Sequence, residues 1–386
     1  MSNKISVIGA GTMGSGIAQV AASNSCQVTI VDSFPQALES SQSKLKSILN
    51  RLVEKGKMNE DKTQHILANI NWTSETEEIA DSDLVIEAIV ENLEIKQKLF
   101  SQMESLVSED CILATNTSSL SVAGIASACN NQIRFVGIHF FNPVPLMKLV
   151  EVIPTEKTDE RLVKEVKSIL EGWGKTVVTA KDTPGFIVNR VARPFYGEAL
   201  KIYEEGIADF ATVDWAMKKF GGFRMGPFEL MDYIGNDVNY SATKAVYDGT
   251  NHDPRYKPSA TQKKLMDKGL LGRKSGKGYF DYSENAVNPE PQKNEELGRK
   301  IFKRILAMLI NAAVDALNES IATRDDIDTA MKTGVNYPKG LLKWADEIGL
   351  NSQVAQLKEL HSKFEDDRYI ANPLLIKKVE ENGTFY

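Results

Sequence analysis

A glycine-rich turn between an apolar run and a helix-like stretch is the feature that most constrains the fold of this chain. Residues 4–10 read KISVIGA, a short run rich in β-branched side chains, and the stretch that follows has a helical pattern. Between them lies the spacing GxGxxG, which begins at Gly9, and a second apolar run, residues 27–32, ends in Asp32. A strand, this turn, a helix and a second strand that ends in an acid together form the fingerprint of a dinucleotide-binding unit, whereas the glycines alone indicate little.

The chain around this turn alternates between strands and helices. Further apolar runs occur at residues 83–90, 111–115, 134–141 and 175–180. Helical patterns separate the runs, notably at residues 13–22, 36–57 and 93–107. Near-continuous apolar strands that alternate with amphipathic helices are typical of a parallel sheet with both faces covered. The pattern therefore predicts an α/β fold with an N-terminal Rossmann-type doubly wound sheet over residues 1–185, ending at a Pro-Gly pair.

The glycine turn also predicts how a cofactor is held. Gly9 permits the tight turn, Gly11 lets the backbone approach a pyrophosphate at the helix N-terminus, and Gly14 allows the helix to pack closely on the strand. Asp32 would accept hydrogen bonds from a ribose 2′-hydroxyl and repel a 2′-phosphate, which favours NAD over NADP. Two alternatives stay open here: FAD, which shares the fingerprint, and a tight turn in an unrelated α/β protein.

The second half of the chain is helical and contains an internal repeat. Asp214-Trp-Ala-Met-Lys218 matches Asp328-Thr-Ala-Met-Lys332. At the same offset, the matching residues are Arg190 and Arg304, Glu205 and Glu319, Gly226 and Gly340, and Asp232 and Asp346. Because many identities at one offset are improbable by chance, we expect two related all-α modules. These are residues 186–282 and 295–386, joined by a Pro-, Asn- and Glu-rich linker at 283–294.

One histidine stands out because it lies inside an apolar strand. His139 belongs to the run 134–141, which breaks at Asn142-Pro-Val-Pro145 and resumes as LVEVI at residues 149–153. If the chain reverses about Pro145, Glu151 lies opposite His139 across an antiparallel pair. A buried carboxylate fixes the tautomer of an imidazole and stabilises its protonated form, which makes a general base near neutral pH. The alternative is a core histidine beside an unrelated glutamate.

The other three histidines, His65, His252 and His361, lie in polar surroundings and indicate solvated surface positions. Ser118 follows the run 111–115, and the carboxyl ends of such strands face the ligand crevice, so this hydroxyl is a candidate substrate contact. Thr117 and Ser119 are neighbouring hydroxyls, and the alternative for this cluster is N-capping of a helix. Asn189 is polar among apolar neighbours, which indicates a cleft, and the alternative is a hydrogen bond between helices.

Composition narrows the class of protein. The 386 residues include 46 basic and 52 acidic side chains, a formal net charge of −6, which argues against a general nucleic-acid binder. No apolar run approaches the ~20 residues of a membrane helix. Three cysteines without a CxxC pair, and a start without a signal peptide, predict a cytoplasmic protein. No cluster has the spacing of metal ligands, so no metal is expected.

Taken together, these segments resemble the L-3-hydroxyacyl-CoA dehydrogenase family, which includes 3-hydroxybutyryl-CoA dehydrogenases. The matching strings are GAGTMGSGIA, EAIVENLEIKQ, NTSSL, HFFNPVPLMKLVEV, KDTPGFIVNR and GRKSGKGYFDY, within residues 9–282. The resemblance implies that His139 is the base, with Glu151 as its partner, and that Ser118 and Asn189 hold the substrate's oxygens. The predicted NAD contacts are Gly9, Gly11, Thr12, Met13, Gly14, Asp32, Glu91, Lys96, Ser118, Asn142 and Lys274. Lys55 resembles a coenzyme A contact.

The function that the resemblance implies is NAD-dependent oxidation of a (3S)-3-hydroxyacyl-CoA to the 3-oxoacyl-CoA, or the reverse. One alternative is a dehydrogenase of a free hydroxy acid, and another is a non-catalytic NAD-binding or crystallin-like relative. The second helical module has Lys303 where the first has Asn189, and it has no GRKSGKGY string. We therefore expect a packing copy that makes an internal pseudo-dimer in a monomer, with a homodimer as the alternative. Acyl chain length, physiological direction and the coenzyme A contacts do not follow from the sequence.

Overall fold

A computed structural model describes residues 4–386 of the chain. The chain separates into two compact units, Met1–Asp182 and Thr183–Tyr386. The first unit contains all the strands among the described residues, and the second is helical. The predicted fold class, an α/β sheet followed by a helical region, is confirmed.

The first unit is built on one sheet of eight strands in the order β3-β2-β1-β4-β5-β6-β7-β8. The strands are β1 (Lys4–Ile8), β2 (Gln27–Val31), β3 (Ile70–Thr73), β4 (Leu84–Glu87), β5 (Ile112–Thr115), β6 (Phe135–Phe140), β7 (Leu149–Pro154) and β8 (Thr176–Thr179). Neighbouring strands are parallel except β6 and β7, which are antiparallel. The strand order reverses at β1, since β2 lies on one side of it and β4 on the other. In open α/β sheets, ligands bind at such a switch point, beyond the carboxyl ends of the strands.

Six helices belong to this unit, and they cover the sheet. They are α1 (Thr12–Ser23), α2 (Pro35–Glu54), α3 (Glu60–Ala68), α4 (Leu93–Glu104), α5 (Val122–Ala126) and α6 (Glu160–Gly172). Every residue of β4 and β5 is buried, as expected for strands that are covered on both faces. One continuous cluster of buried apolar side chains joins α1 and α6 to β1, β2 and β7. This core fixes the carboxyl edge of the sheet, at which the predicted site residues Asp32 and Ser118 follow β2 and β5.

The second unit contains eleven α-helices. They are α7 (Val188–Val191), α8 (Arg193–Glu204), α9 (Phe210–Gly221), α10 (Pro227–Ile234), α11 (Asn236–Gly249), α12 (Ala260–Asp267), α13 (Glu295–Asn318), α14 (Arg324–Gly334), α15 (Leu341–Ile348), α16 (Leu350–Phe364) and α17 (Pro373–Glu380). Helix α13 is the longest, and its residues 304–316 are all buried because α7, α8, α9, α15 and α16 pack around it. None of the helices that the structure describes combines the length and apolarity needed to cross a membrane.

The sequence prediction omitted one strand, β3. Its sequence, Ile-Asn-Trp-Thr, is four residues long, and only its first and last residues are buried. It lies at the edge of the sheet beside β2. A short, half-exposed edge strand gives no apolar run, and only its pairing with β2 defines it. The predicted helix over residues 36–57 is observed as α2, which ends at Glu54.

Candidate active site

The glycine turn joins β1 to α1 at the switch point of the sheet. Gly9 has φ +107°, in the region that favours glycine, and a Cβ there would lie 2.7 Å from the backbone oxygen of Ala88. A Cβ on Gly14 would lie 1.9 Å from the oxygen of Gly9, so α1 approaches the turn as closely as the motif predicts. Both glycines are therefore required by close contact between backbones.

Gly11 differs from these two because its Cβ would meet nothing within 4 Å. It is the N-cap residue of α1, and the positive end of the helix dipole lies beside this open space. Asp32, just after β2, accepts hydrogen bonds from the backbone N–H groups of Ala10 at 2.8 Å and Phe34 at 3.0 Å. A carboxylate has about four acceptor positions, so both oxygens can accept a further hydrogen bond. Room for a pyrophosphate beside an anchored acid fits NAD.

His139 and Glu151 form a buried pair across β6 and β7. The two residues are directly opposite in the antiparallel register, which confirms the predicted hairpin geometry. His139 Nδ1 lies 2.7 Å from Glu151 Oε2, and the two residues are 6% and 0% exposed. The ring of Phe141 lies 4.5 Å from the imidazole, between ring centroids. The carboxylate and the aromatic ring together fix the orientation of the imidazole.

This arrangement determines the tautomer of His139. An ionised carboxylate can only accept hydrogen bonds, so Nδ1 carries the proton and donates it to Glu151. The lone pair of the neutral ring is then on Nε2. An imidazole held in this way can take up a proton at Nε2, and the carboxylate stabilises the cation that results. The pair therefore has the chemistry of an oriented general base.

The segment after β5 is held by a single carboxylate, that of Glu91. Its Oε1 accepts hydrogen bonds from Thr117 Oγ1 at 2.6 Å and from the backbone N–H groups of Ser118 at 2.8 Å and Ser119 at 3.1 Å. Burial alone would raise the pKa of Glu91, but the ammonium of Lys96 and these hydrogen bonds hold it below its ordinary value. Glu91 thus acts as a fixed anion around which the backbone at Ser118 folds.

A second carboxylate, Glu87, lies behind this segment. It ends β4, is fully buried, and accepts hydrogen bonds from Lys96 Nζ at 2.5 Å, Thr115 Oγ1 at 2.7 Å and the N–H of Ile89 at 2.7 Å. Lys96 is 1% exposed, and its ammonium also lies 3.3 Å from Glu91 Oε2. Lys96 therefore joins the end of β4 to the segment that presents Ser118.

Comparison with known proteins agrees with this geometry. Residues 4–183 match the family model "3-hydroxyacyl-CoA dehydrogenase, NAD binding domain", and the model "3-hydroxyacyl-CoA dehydrogenase, C-terminal domain" matches twice, at residues 185–282 and 301–384. The chain belongs to the 3-hydroxyacyl-CoA dehydrogenase family. It is 34% identical to 3-hydroxyadipyl-CoA dehydrogenase of Escherichia coli, with 95% of each chain covered.

Two further relatives differ in how much of the chain they cover. A probable 3-hydroxybutyryl-CoA dehydrogenase of Deinococcus radiodurans is 41% identical over 72% of this chain and 100% of its own length. The crystal structure of 3-hydroxybutyryl-CoA dehydrogenase from Escherichia coli has a TM-score of 0.92 at 33% identity, with 99% of both chains covered. As a member of this family, the chain is an NAD-dependent oxidoreductase. The predictions of NAD and of an enzyme are confirmed.

The remaining predicted site residues are described within the unit to which each belongs. In the first unit, Asn142 is exposed in the turn between β6 and β7, and Lys55 is exposed at the end of α2. In the second unit, Asn189 lies on α7, and Lys274 is ion-paired with Asp237 at 2.7 Å. Their contacts with cofactor or substrate stay predictions. The hydroxyl that caps α5 is that of Ser121, which lies beyond the hydroxyls before Leu120 for which N-capping was the alternative.

Sequence reasoning missed two acids that organise this edge of the sheet, the buried Glu87 and the half-buried Asp182. Glu87 lies within the apolar run DLVIEAIV, and a charged residue in such a run was the available signal. Asp182 accepts hydrogen bonds from Ser121 Oγ at 2.9 Å and from the N–H groups of Val122 at 3.0 Å and Ala123 at 2.8 Å, so it fixes the start of α5. No spacing rule marks Asp182, because its partners are 60 residues away.

We expect replacement of the buried ammonium to destabilise the first unit strongly. Lys96→Met leaves Glu87 as an uncompensated buried charge, which costs roughly 3–5 kcal/mol. Lys98→Met, an exposed change on the same helix, is the control and should stay within about 0.5 kcal/mol of the native protein. Urea unfolding of both variants measures the difference. Adding Glu87→Gln to Lys96→Met should recover part of the loss, and equal midpoints for the two single variants would contradict this account.

Proposed function

We propose that this protein oxidises (3S)-3-hydroxyacyl-CoA to 3-oxoacyl-CoA with NAD, or catalyses the reverse, with His139 as the general base. The observation that carries the proposal is the 2.7 Å contact between His139 Nδ1 and Glu151 Oε2, in a pair that is almost completely buried. A binding protein needs no oriented base, and His139 lies on β6, next to β5, the strand that leads to Ser118. The family membership supports the acyl-CoA substrate class.

In this mechanism, Nε2 of His139 takes the proton of the substrate's 3-hydroxyl group. Bound NAD supplies the acceptor for the hydride that leaves C3. Glu151 lowers the free energy of the imidazolium as it forms, and because the pair is buried, no water has to reorganise around the new charge. In the reverse direction, the imidazolium returns the proton to the oxygen on C3.

Ser118 and Asn189 complete the proposal by orienting the substrate's oxygens. Glu91 supports this role of Ser118, because it binds the backbone N–H of that residue and so fixes the position of the hydroxyl. We further propose Lys55 as a contact of coenzyme A, since it is an exposed cation and coenzyme A carries phosphates. Direct contacts of Glu91 and Lys96 with NAD are also part of the proposal, as are those of Asn142 and Lys274.

An NADH absorbance assay tests the substrate class and the acyl chain together. We expect reduction of NAD with 3-hydroxyacyl-CoA esters and none with the corresponding free hydroxy acids. The names of the relatives supply two esters to test, 3-hydroxybutyryl-CoA and 3-hydroxyadipyl-CoA. The comparison of their rates shows whether the enzyme accepts an acyl chain with a terminal carboxylate. Turnover of free 3-hydroxybutyrate at a rate comparable to its CoA ester would favour the free-acid alternative and overturn the proposal.

Removal of the base should abolish most turnover without loss of cofactor binding. His139→Ala is expected to lower kcat by ~10²–10⁴-fold, the usual contribution of a positioned acid–base group. NADH binding, followed by fluorescence, shows whether the variant is folded and binds its cofactor. His252→Ala is the matched control, because that imidazole is exposed and 3.8 Å from Asp248 in a similar pairing. Near-native turnover of His139→Ala would show that another group takes the proton.

We also propose that the helical unit consists of two related modules, residues 186–282 and 295–386, with a linker at 283–294, paired as a pseudo-dimer within one chain. Equivalent contacts in the two modules support this. Asp214 accepts hydrogen bonds from the N–H groups at the start of α10, and Asp328 does so at the start of α15. Asp232 and Asp346 each accept two backbone N–H groups from the end of their own module.

Reciprocal ion pairs link the two modules. Arg190 of the first donates two hydrogen bonds to Glu319 of the second, at 2.6 and 2.7 Å. Arg304 of the second donates to Glu205 of the first, at 2.7 and 3.1 Å. These four residues are related by the sequence repeat, and such reciprocity is the mark of a two-fold interface. The double match of the C-terminal family model agrees with two modules.

An internal pseudo-dimer predicts a monomer in solution. Light scattering should give a mass near 42.8 kDa, the mass of one chain. The measurement is made over a range of protein concentrations, since weak association would show as a mass that rises with concentration. A mass of two chains that persists on dilution would favour the homodimer.

A cytoplasmic location also stays a proposal, which three buried free cysteines support.

A further inference from the structure

A buried lysine between α6 and β8 has no part in the mechanism above. Lys175 is 9% exposed and directly precedes β8. Its ammonium donates hydrogen bonds to the carbonyl oxygens of Val144 at 2.5 Å and Met147 at 2.8 Å. Burial lowers its pKa to about 8. The cation is therefore balanced by two backbone dipoles.

The two carbonyls belong to the turn between β6 and β7. Inside this turn, the N–H groups of Leu146 and Met147 donate to the oxygen of Pro143, at 2.9 and 3.0 Å, so residues 143–147 form one compact piece. The turn begins with Asn142, three residues after His139. Lys175 thus holds the far end of the segment whose near end carries a proposed NAD contact.

The same turn is seated on the dinucleotide-binding helix. A Cβ on Gly16 of α1 would lie 2.9 Å from Cβ of Val144 and 3.6 Å from Cδ of Pro145. Val144 is 2% exposed, so its side chain is buried against α1 while its carbonyl group is bound by Lys175. The turn is therefore held between the helix that receives the pyrophosphate and the ammonium of Lys175.

We propose that Lys175 is a positioning residue for the cofactor, because it fastens the 142–148 turn against α1 and thereby sets the position of Asn142. A methionine would fill a similar volume without the cost of burying a charge, but it would leave two carbonyl oxygens without a donor. His139 is held independently by strand pairing and by Glu151. Loss of the hydrogen bonds from Lys175 to the turn should therefore weaken NAD binding more than it slows the chemical step. This inference rests on the proposed NAD contact of Asn142.

The test is the split between KM and kcat in Lys175→Met. We expect KM for NAD and the dissociation constant of NADH to rise by roughly tenfold, the effect of losing one charge-assisted hydrogen bond. We expect kcat and KM for the acyl-CoA to change little. Lys175→Arg, which keeps a cation and its donors, should recover part of the affinity. Lys167→Met is the control, because that ammonium, on α6, donates to Thr179 Oγ1 at 3.3 Å, outside the turn.

A second variant acts on the turn from its other side. Gly16→Ala places a methyl group against Val144 and should raise the same two constants even if Lys175→Met fails to fold. NADH affinity is measured without acyl-CoA, so it tests the role of Lys175 independently of the proposed function. A wild type that oxidises no 3-hydroxyacyl-CoA would overturn only the proposed function. Two outcomes would show that Lys175 is purely structural and that the inference is wrong. In the first, Lys175→Met lowers the melting temperature but binds NADH as tightly as Lys167→Met does. In the second, Lys175→Met does not fold and Gly16→Ala leaves the affinity for NADH unchanged.

Discussion

The pairing register of β6 and β7 is the constraint on which the proposed chemistry depends. Side chains alternate between the faces of a strand, so a shift of one residue would turn Glu151 away from His139. The register is fixed by apolar residues on both strands, which are buried on both faces of the sheet. At the end of β6, Asn116 Oδ1 also accepts the N–H of Phe140 at 2.9 Å and ties β6 to the segment after β5. The contact between His139 and Glu151, the proposed catalytic pair, is thus a consequence of how the core packs.

At the carboxyl edge of the sheet, charged side chains hold backbone segments that core packing does not hold. The strands end at this edge, and the backbone N–H groups beyond them have no ladder partner. Glu91 and Asp182 accept several of these groups each, and Glu87 receives both a backbone N–H and the ammonium of Lys96. Carboxylates that accept backbone N–H groups fix loops with charge-assisted hydrogen bonds. These hydrogen bonds fix the positions of the segments at this edge, and fixed positions are what a hydride transfer needs.

The sequence predicted those parts that local rules determine. The glycine turn has a fixed spacing, and the His139 hairpin could be found because both residues are six positions from Pro145. β3 escaped because a half-exposed edge strand has no pattern of its own. Lys96 matched a family string, but its burial between two carboxylates did not follow from the string, since Glu87 is nine residues away on another element. Lys175 and its carbonyl partners are 28 and 31 residues apart, a distance at which only the folded topology brings groups together.

The two proposed helical modules differ in an informative way. The residues that link the modules, Arg190 with Glu319 and Arg304 with Glu205, are present in both copies. The residue before each arginine is not: Asn189 in the first copy is Lys303 in the second. A lysine ammonium only donates hydrogen bonds, whereas the amide of asparagine can also accept one from a substrate hydroxyl. The second copy thus keeps the groups that pair the modules and lacks the one proposed to touch substrate, as expected of a module retained to complete its neighbour's structure.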